Sequence, residues 1–180
     1  MKGIVFTEFL EMVETAYGLE TVDLIIESSD LKSKGIYTSI GTYDFNEMLS
    51  LITNLSEEVS IPVDDLLYQF GKYFFYSLTD AHPKIFKQYN SPIKFLASIE
   101  NHIHVHVAKI YPEAELPTFE VVNDSIKNIT MIYKSERALY RFAHGLMEKT
   151  LEYYKIDGTV TYEKLNEKGT EVKFTILKNE

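Results

Sequence analysis

The side chains best suited to chemistry in this sequence form two groups. One is His104, and the other is a Tyr-x-Ser-x-Arg pattern made by Tyr133, Ser135 and Arg137. Imidazole binds iron through a neutral nitrogen, whereas tyrosine, serine and arginine supply neutral and cationic donors suited to carboxylates. Haem needs both kinds of partner, because it has an iron atom and propionate groups. The two groups together therefore indicate a haem site.

Composition limits the classes of protein to consider. The chain has 180 residues, 45% of them hydrophobic, which is enough for one sizeable core and one domain. Its 18 basic and 27 acidic residues give a net charge of −9. That charge opposes binding to a phosphate backbone, so we expect no nucleic acid as a partner.

Cysteine usage and the N-terminal sequence suggest where the protein works. The chain has no cysteine, which excludes disulfides, thiolate zinc sites and cysteine nucleophiles. Glu8 comes too early for a signal-peptide core, and no apolar run is long enough to span a bilayer. We therefore expect a cytoplasmic protein with no membrane partner and no zinc.

The first half of the chain is predicted to be mainly helical. Apolar residues recur every three or four positions over residues 5–17, and Gly18 then predicts the end of that helix. Asp44 is the expected N-cap of a later helix. Similar patterns predict the further helices, over residues 22–26, 45–55 and 63–78.

Residues 92–110 are predicted to form one core-facing α-helix that contains His104. On the helical wheel His104 lies near Ala97 and Ala108. Small residues beside a ligand would let a large flat group approach the backbone, as the wall of a cofactor site requires. The apolar residues of this segment fall on one stripe, formed by Leu96, Ile99, Ile103, Val107 and Ile110.

The second half alternates short β-branched segments with one helix over residues 136–153. The fold is therefore predicted to be α+β, with a helical front half and a back half of hairpins and one helix. The predicted strands form two hairpins, over residues 118–122, 126–133, 158–165 and 170–177.

A non-haem metal site is an alternative interpretation of the histidines. His102, His104 and His106 would share one face of a β-strand and could chelate a metal together. On a helix His104 would point away from the other two. The sequence also lacks a helical HExxH motif, so the alternative depends on a strand at this position.

A structural role is the alternative for the Tyr-x-Ser-x-Arg pattern. Tyr133 would then pack in the sheet, Ser135 would cap the following helix, and Arg137 would be solvated. However, the chain has only two arginines, Arg137 and Arg141, and arginine gives the planar, bidentate recognition that carboxylates favour. Side chains two residues apart share one face of a strand, so Tyr133 and Ser135 would lie on one face at the end of a strand. Arg137 would follow at the start of the next helix, and the three donors would then converge.

These motifs resemble those of the haem nitric oxide/oxygen binding (H-NOX) family. The resemblance rests on residues 104–112, residues 117–119 and the Tyr-x-Ser-x-Arg pattern, and the opening residues 1–5 are also similar. It covers essentially the whole chain. It implies an α+β domain with haem held between two subdomains: a helical N-terminal subdomain, residues 1–60, and residues 61–180, which would form a four-stranded antiparallel sheet and helices. The family includes bacterial gas sensors and the haem domain of soluble guanylate cyclase.

The resemblance implies a role for each motif residue. His104 would be the proximal ligand to ferrous haem b and so the metal-binding residue, and the Tyr-x-Ser-x-Arg side chains would hold the propionates. Pro117 matches the proline that presses on the haem and distorts it. Val5 occupies a position where an oxygen-binding relative has a bulkier isoleucine.

The resemblance also implies which gas is bound. Oxygen-binding members have a distal tyrosine five residues after the motif arginine, and here that position is Phe142. Phe9 and Phe74 fall where the residues that support the tyrosine would lie, and Leu146 is expected beside them in the gas pocket. Tyr140 should point elsewhere on its helix. Bound oxygen gains from a hydrogen-bond donor, whereas nitric oxide binds ferrous haem strongly without one.

The sequence thus predicts a gas sensor that is not an enzyme. Nitric oxide, and also carbon monoxide, would be the ligands, and loss of the proximal histidine bond would change the conformation. The resemblance implies a separate signalling partner, a histidine kinase or a cyclic-di-GMP enzyme. An oxygen-binding haem protein is the nearer alternative.

Overall fold

The computed structural model of the protein describes residues 1–179. No helix in this part of the chain is both long and apolar enough to cross a membrane. The strands are β1 (Thr118–Asp124), β2 (Asn128–Lys134), β3 (Gly158–Lys164) and β4 (Glu171–Lys178). The helices are α1 (Gly3–Tyr17), α2 (Leu19–Glu27), α3 (Phe45–Val59), α4 (Val63–Ala81), α5 (Pro83–Lys87), α6 (Pro92–Ala97), a π-helical turn (Ile99–His104), α7 (Val105–Ile110) and α8 (Tyr140–Tyr153).

The predicted α+β fold is confirmed, with a helical N-terminal half and a four-stranded antiparallel sheet in the C-terminal half. The two hairpins, β1–β2 and β3–β4, join through β2 and β4, which gives the strand order β1-β2-β4-β3. Ile129, Met131 and Tyr133 alternate along β2 and are all buried, because side chains two residues apart share one face of a strand. α8 packs on the sheet through Met147 and Leu151.

Two clusters of buried hydrophobic side chains form the core. The first is made by α1, α2, α3 and the first part of α4, and it includes Phe6, Leu51 and Phe70. The second is made by the end of α4, by α6, by α8 and by the sheet. α4 therefore contributes to both clusters, and the predicted division near residue 60 remains a prediction.

Local signals explain where the N-terminal helices begin and end. Asp44 Oδ1 accepts the Asn46 N–H at 3.0 Å, so Asp44 is the N-cap of α3, as predicted. Gly18 ends α1 with φ at +90°, in a region that disfavours every residue with a side chain. Its N–H donates to the Glu14 carbonyl at 2.9 Å, which satisfies one of the last carbonyls of the helix.

The prediction of one α-helix over residues 92–110 is wrong, since the segment divides into α6, the π-helical turn and α7. The Ser98 carbonyl accepts from the N–H groups of both His102 (2.9 Å) and Ile103 (3.2 Å). The second of these bonds spans five residues and widens the turn. Hydrophobic periodicity does not reveal this change, because Ile99, Ile103 and Val107 recur every four residues, a spacing that a regular α-helix also gives. Such π-helical turns are often found at functional sites.

The helix predicted from residue 136 begins only at Tyr140. The preceding residues form a turn in which Ala138 has a left-handed φ of +50° and donates its N–H to the Ser135 carbonyl at 3.1 Å. The Arg137 N–H donates to Ser135 Oγ at 3.2 Å. Ser135 therefore stabilises this turn and does not cap α8, whose N-cap is Leu139. β2 also starts later than predicted, at Asn128. Ile126 lies in the preceding hairpin turn, where it is 90% exposed.

Candidate functional site

A cavity of about 320 Å³ lies where the two hydrophobic clusters meet. Its volume falls within the range of pockets that bind small molecules and cofactors, about 300–1,000 Å³. The lining is mostly apolar and comes from α1, α4, the segment from α6 to α7, β2 and α8. All the predicted site residues except Phe9 line it, namely Val5, Phe74, His104, Pro117, Tyr133, Ser135, Arg137, Phe142 and Leu146.

His104 ends the π-helical turn, and its side chain, 16% exposed, faces this cavity. Burial lowers the pKa of His104, and the nearby Glu100 carboxylate only partly opposes the effect. The imidazole is therefore neutral near pH 7. Nδ1 donates to Glu100 Oε2 at 3.3 Å, which leaves Nε2 as the nitrogen with a free lone pair. A neutral imidazole in this state can ligate a metal.

Tyr133, Ser135 and Arg137, the three residues of the predicted motif, all line the cavity and lie close to one another. Burial raises the pKa of Tyr133, which keeps its phenol protonated and able to donate. The Arg137 guanidinium donates from Nη1 to the Glu115 carbonyl at 3.0 Å and pairs through Nη2 with the Glu115 carboxylate. It also lies 5.4 Å from the ring of Phe45. Arg137 is therefore not merely solvated, and its fork already holds a carboxylate.

Three phenylalanines form another wall of the cavity. The ring centroids of Phe70 and Phe142 are 5.1 Å apart, those of Phe74 and Phe142 are 5.5 Å apart, and those of Phe70 and Phe74 are 5.7 Å apart. Leu146 lines the cavity one turn further along α8. These four side chains have no hydrogen-bond donor. The wall they form is therefore unable to donate to a bound ligand.

Phe9, which the sequence places in the gas pocket, is not among the residues that line this cavity. Phe9 is fully buried, but it lies behind Phe70, with the two ring centroids 5.3 Å apart, and it does not line the cavity. Sequence reasoning named Phe9 and missed Phe70, because both fall on the apolar faces of their helices. Which of the two rings faces the cavity depends on how α1 packs against α4.

Two other predicted residues reach the cavity from separate elements. Val5 comes from the first turns of α1, and Pro117 comes from the loop that leads into β1. One belongs to the helical half and the other to the half that contains the sheet. A rigid group in the cavity would therefore contact both halves of the molecule.

The three histidines of the alternative metal site do not converge. His102 contacts the hydroxyl of Tyr89, His104 contacts Glu100, and the His106 ring lies 6.2 Å from the ring of His82. Within residues 1–179, no group of three or more histidine, cysteine, aspartate or glutamate side chains could hold a metal ion. The arrangement required by that alternative is not formed.

Tyr140 also points away from the cavity, as predicted. Its hydroxyl donates to Asp64 Oδ2 at 2.7 Å, and its ring packs 5.3 Å from that of Tyr162. Burial and the Asp64 carboxylate raise its pKa well above the ordinary value. This phenol is therefore occupied outside the cavity and does not supply a donor to it.

The fold and the site define a haem domain, and comparison with known proteins agrees. Residues 2–162 match the family model described as haem-NO-binding. Because the match covers most of the chain, the protein belongs to this family. Haem is therefore its cofactor, and the cavity fits haem in its apolar lining, its neutral buried imidazole and its carboxylate-binding guanidinium.

Solved structures of H-NOX proteins place the chain more closely. The Fe(II) unliganded H-NOX protein from K. algicida is 54% identical with a TM-score of 0.98, and the match covers 100% of this chain and 97% of that one. The IWP-051-bound H-NOX from Shewanella woodyi, in the Fe(II)CO ligation state, is 40% identical with a TM-score of 0.84 over 99% and 95% of the two chains. An H-NOX protein from S. oneidensis in the Fe(II)NO ligation state shares the fold over 100% of both chains, at 22% identity and a TM-score of 0.88.

Proposed function

We propose that this protein is a sensor of nitric oxide rather than an enzyme. The observation that supports the proposal most strongly is a cavity with one buried neutral histidine on one wall and a donor-free phenylalanine cluster on another. Ferrous haem b, when bound, supplies an iron atom that binds diatomic gases. The chain decides which gas is favoured and how its binding changes the protein.

The haem-binding residues are proposed from their positions. His104 is the metal ligand through Nε2, since Nδ1 is engaged by Glu100. Arg137, Ser135 and Tyr133 hold the propionates, and the existing contact between Arg137 and the Glu115 carboxylate supports this role. Glu115 must then give up part of that contact when haem enters, because both carboxylates compete for one guanidinium.

The distal wall sets the choice of gas. Bound oxygen carries partial negative charge and is stabilised by a hydrogen-bond donor, whereas nitric oxide and carbon monoxide bind ferrous haem without one. Phe70, Phe74, Phe142 and Leu146 offer no donor, and the phenol of Tyr140 is bonded to Asp64. The protein therefore favours nitric oxide and carbon monoxide over oxygen.

The conformational response starts at His104. We propose that nitric oxide binding would weaken the bond of His104 to the haem, so that the segment around His104 would no longer be held at the cavity. Val5 and Pro117 line the cavity from opposite halves of the molecule, so a change in how they contact the haem would shift the helical half relative to the half with the sheet. A separate partner that binds the two forms with different affinity would read the change. A histidine kinase or a cyclic-di-GMP enzyme is the proposed class of partner.

Absorption spectroscopy of the haem-loaded protein tests this proposal. The anaerobically reduced protein is measured before and after air, and then after nitric oxide. We expect a five-coordinate ferrous spectrum that air does not change, followed by the spectrum of a five-coordinate nitric oxide complex. A stable oxygen complex would instead make the protein an oxygen binder. A six-coordinate nitric oxide complex would contradict the release of His104.

A further inference from the structure

The carboxylate of Glu100 lies between the π-helical turn and strand β1. Its Oε2 accepts the backbone N–H of Phe119 at 3.0 Å and the Nδ1–H of His104 at 3.3 Å. A carboxylate only accepts, so Nδ1 is the protonated nitrogen of the imidazole. Because the same oxygen serves both donors, Glu100 fixes His104 relative to the strand as well as to its own helix.

We propose that Glu100 is the positioning residue for His104. It holds the imidazole in the tautomer that presents Nε2 to the cavity, and it ties the ring orientation to the start of β1. The inference rests on the proposed role of His104 as the iron ligand. A carboxylate bonded to the outer nitrogen of a ligating histidine raises the basicity of the inner nitrogen and strengthens its bond to the metal.

The surroundings of the pair support this role. The His104 side chain is 16% exposed and that of Glu100 is 39% exposed, so the protein shields the bond from solvent on the histidine side. The ring of Phe119 also packs 5.8 Å from that of His104. The backbone of Phe119 thus binds the carboxylate while its side chain supports the imidazole.

The same contacts connect His104 to the propionate-binding motif. Phe119 is buried, and its ring centroid lies 5.5 Å from that of Tyr133 on the neighbouring strand. Phe119 also pairs with Tyr133 in the β1–β2 register. A movement of His104 would therefore be transmitted through Glu100 to the first residues of β1, next to Tyr133. Glu100 gives the histidine a direct contact with the sheet.

The haem-free protein provides the first test, in Glu100→Gln and Glu100→Ala variants. Nitrogen-15 NMR of labelled histidine reports which ring nitrogen of His104 carries the proton, and amide exchange reports the Phe119 N–H. We expect the wild type to show Nδ1–H and a protected Phe119 amide. Glu100→Ala should shift the ring towards Nε2–H and speed the exchange of that amide. Glu100→Gln keeps the size of the side chain and should cause a smaller shift.

Glu120→Gln is the matched control, because Glu120 follows Phe119 in β1 and its exposed carboxylate contacts the surface side chain of Lys134. It should leave both signals unchanged. If the Glu100 variants fold as judged by circular dichroism and still show Nδ1–H with a protected Phe119 amide, the positioning role is overturned.

The haem-loaded protein provides the second test, by resonance Raman spectroscopy of the ferrous form. The iron–histidine stretching band should move to lower frequency in both Glu100 variants but not in Glu120→Gln. Loss of haem to an excess of an acceptor protein should become about 10–100-fold faster, as is usual when the partner of a ligating histidine is removed. A wild-type band that the Glu100 variants leave in place would refute the inference but keep His104 as the ligand. No iron–histidine band in the wild type would refute the ligand itself.

Discussion

Replacing Gly145 by alanine should destabilise the crossing of α8 over α4. A Cβ atom on Gly145 would lie 2.3 Å from the Tyr68 carbonyl oxygen and 2.9 Å from the Lys72 backbone nitrogen, whereas ordinary contacts begin near 3.4 Å. Both neighbours are backbone atoms, so no rotamer change relieves the clash. The two helices must separate by about 1 Å to admit the methyl group, which is overpacking of a closely fitted contact.

The size of the effect follows from two opposing contributions. Alanine in a helix is favoured over glycine by at most about 1 kcal/mol. Overpacking costs about 1–3 kcal/mol, and a clash with backbone atoms belongs in the upper part of that range, about 2–3 kcal/mol. We therefore expect the free energy of unfolding to fall by about 1–2 kcal/mol. For a chain of this length the melting temperature should fall by roughly 2–8 °C. Urea unfolding and thermal melting of the haem-free protein measure both quantities.

Two comparisons isolate the cause. Glu57→Ala, at an exposed position of α3, should change stability by less than about 0.5 kcal/mol. Gly71→Ala would place its Cβ 2.1 Å from the Phe142 carbonyl oxygen at the same crossing. The double variant with Gly145→Ala should therefore lose less than the two single losses added, since one separation relieves both clashes. A Gly145→Ala protein as stable as the wild type would refute the reasoning.

Three further changes test the site and its surroundings. Phe142→Tyr places a donor on the phenylalanine wall. A hydrogen bond of about 0.5–1.5 kcal/mol should raise oxygen affinity roughly 2–10-fold. An oxygen titration that gives the same affinity for the variant and the wild type would contradict the donor argument. Arg137→Lys keeps the charge but loses the bidentate fork, so haem loss to an acceptor protein should be roughly 10-fold faster, whereas Arg141→Lys, outside the cavity, should leave it unchanged. His144 is buried with a pKa lowered from 6.5 mainly by desolvation, so its unfolded form binds a proton first as pH falls. Its contribution to stability is fully present above pH 6.5 and is lost as pH falls towards the folded pKa, and His144→Gln should flatten the decline in stability measured between about pH 7 and pH 5.5.

Much of the fold and most of the site were predictable, because the signals concerned are local. The Asp44 cap, the Gly18 stop and the strand that becomes β2 each depend on a few neighbouring residues, and the structure confirms them. Tyr133 and Ser135 share the cavity because period two places them on one face near the end of a strand.

The differences between the prediction and the structure have tertiary or backbone causes. The π-helical turn arises from the double acceptance at Ser98, which leaves no clear mark on the hydrophobic pattern. Phe9 and Phe70 are equivalent apolar positions until α1 packs against α4. Glu100 could have been noticed four residues before His104, where helical side chains meet. Its bond to Phe119, however, depends on where β1 lies.

α4 runs through both hydrophobic clusters, and this has a consequence for how the molecule unfolds. Its 19 residues form a rod about 28 Å long, with Phe70 in one cluster and Phe75 in the other. Neither half keeps its core if this helix melts, so the halves are expected to lose structure in one cooperative transition. Because α4 is one continuous helix, a tilt imposed at its C-terminal end is also transmitted to the N-terminal half of the molecule.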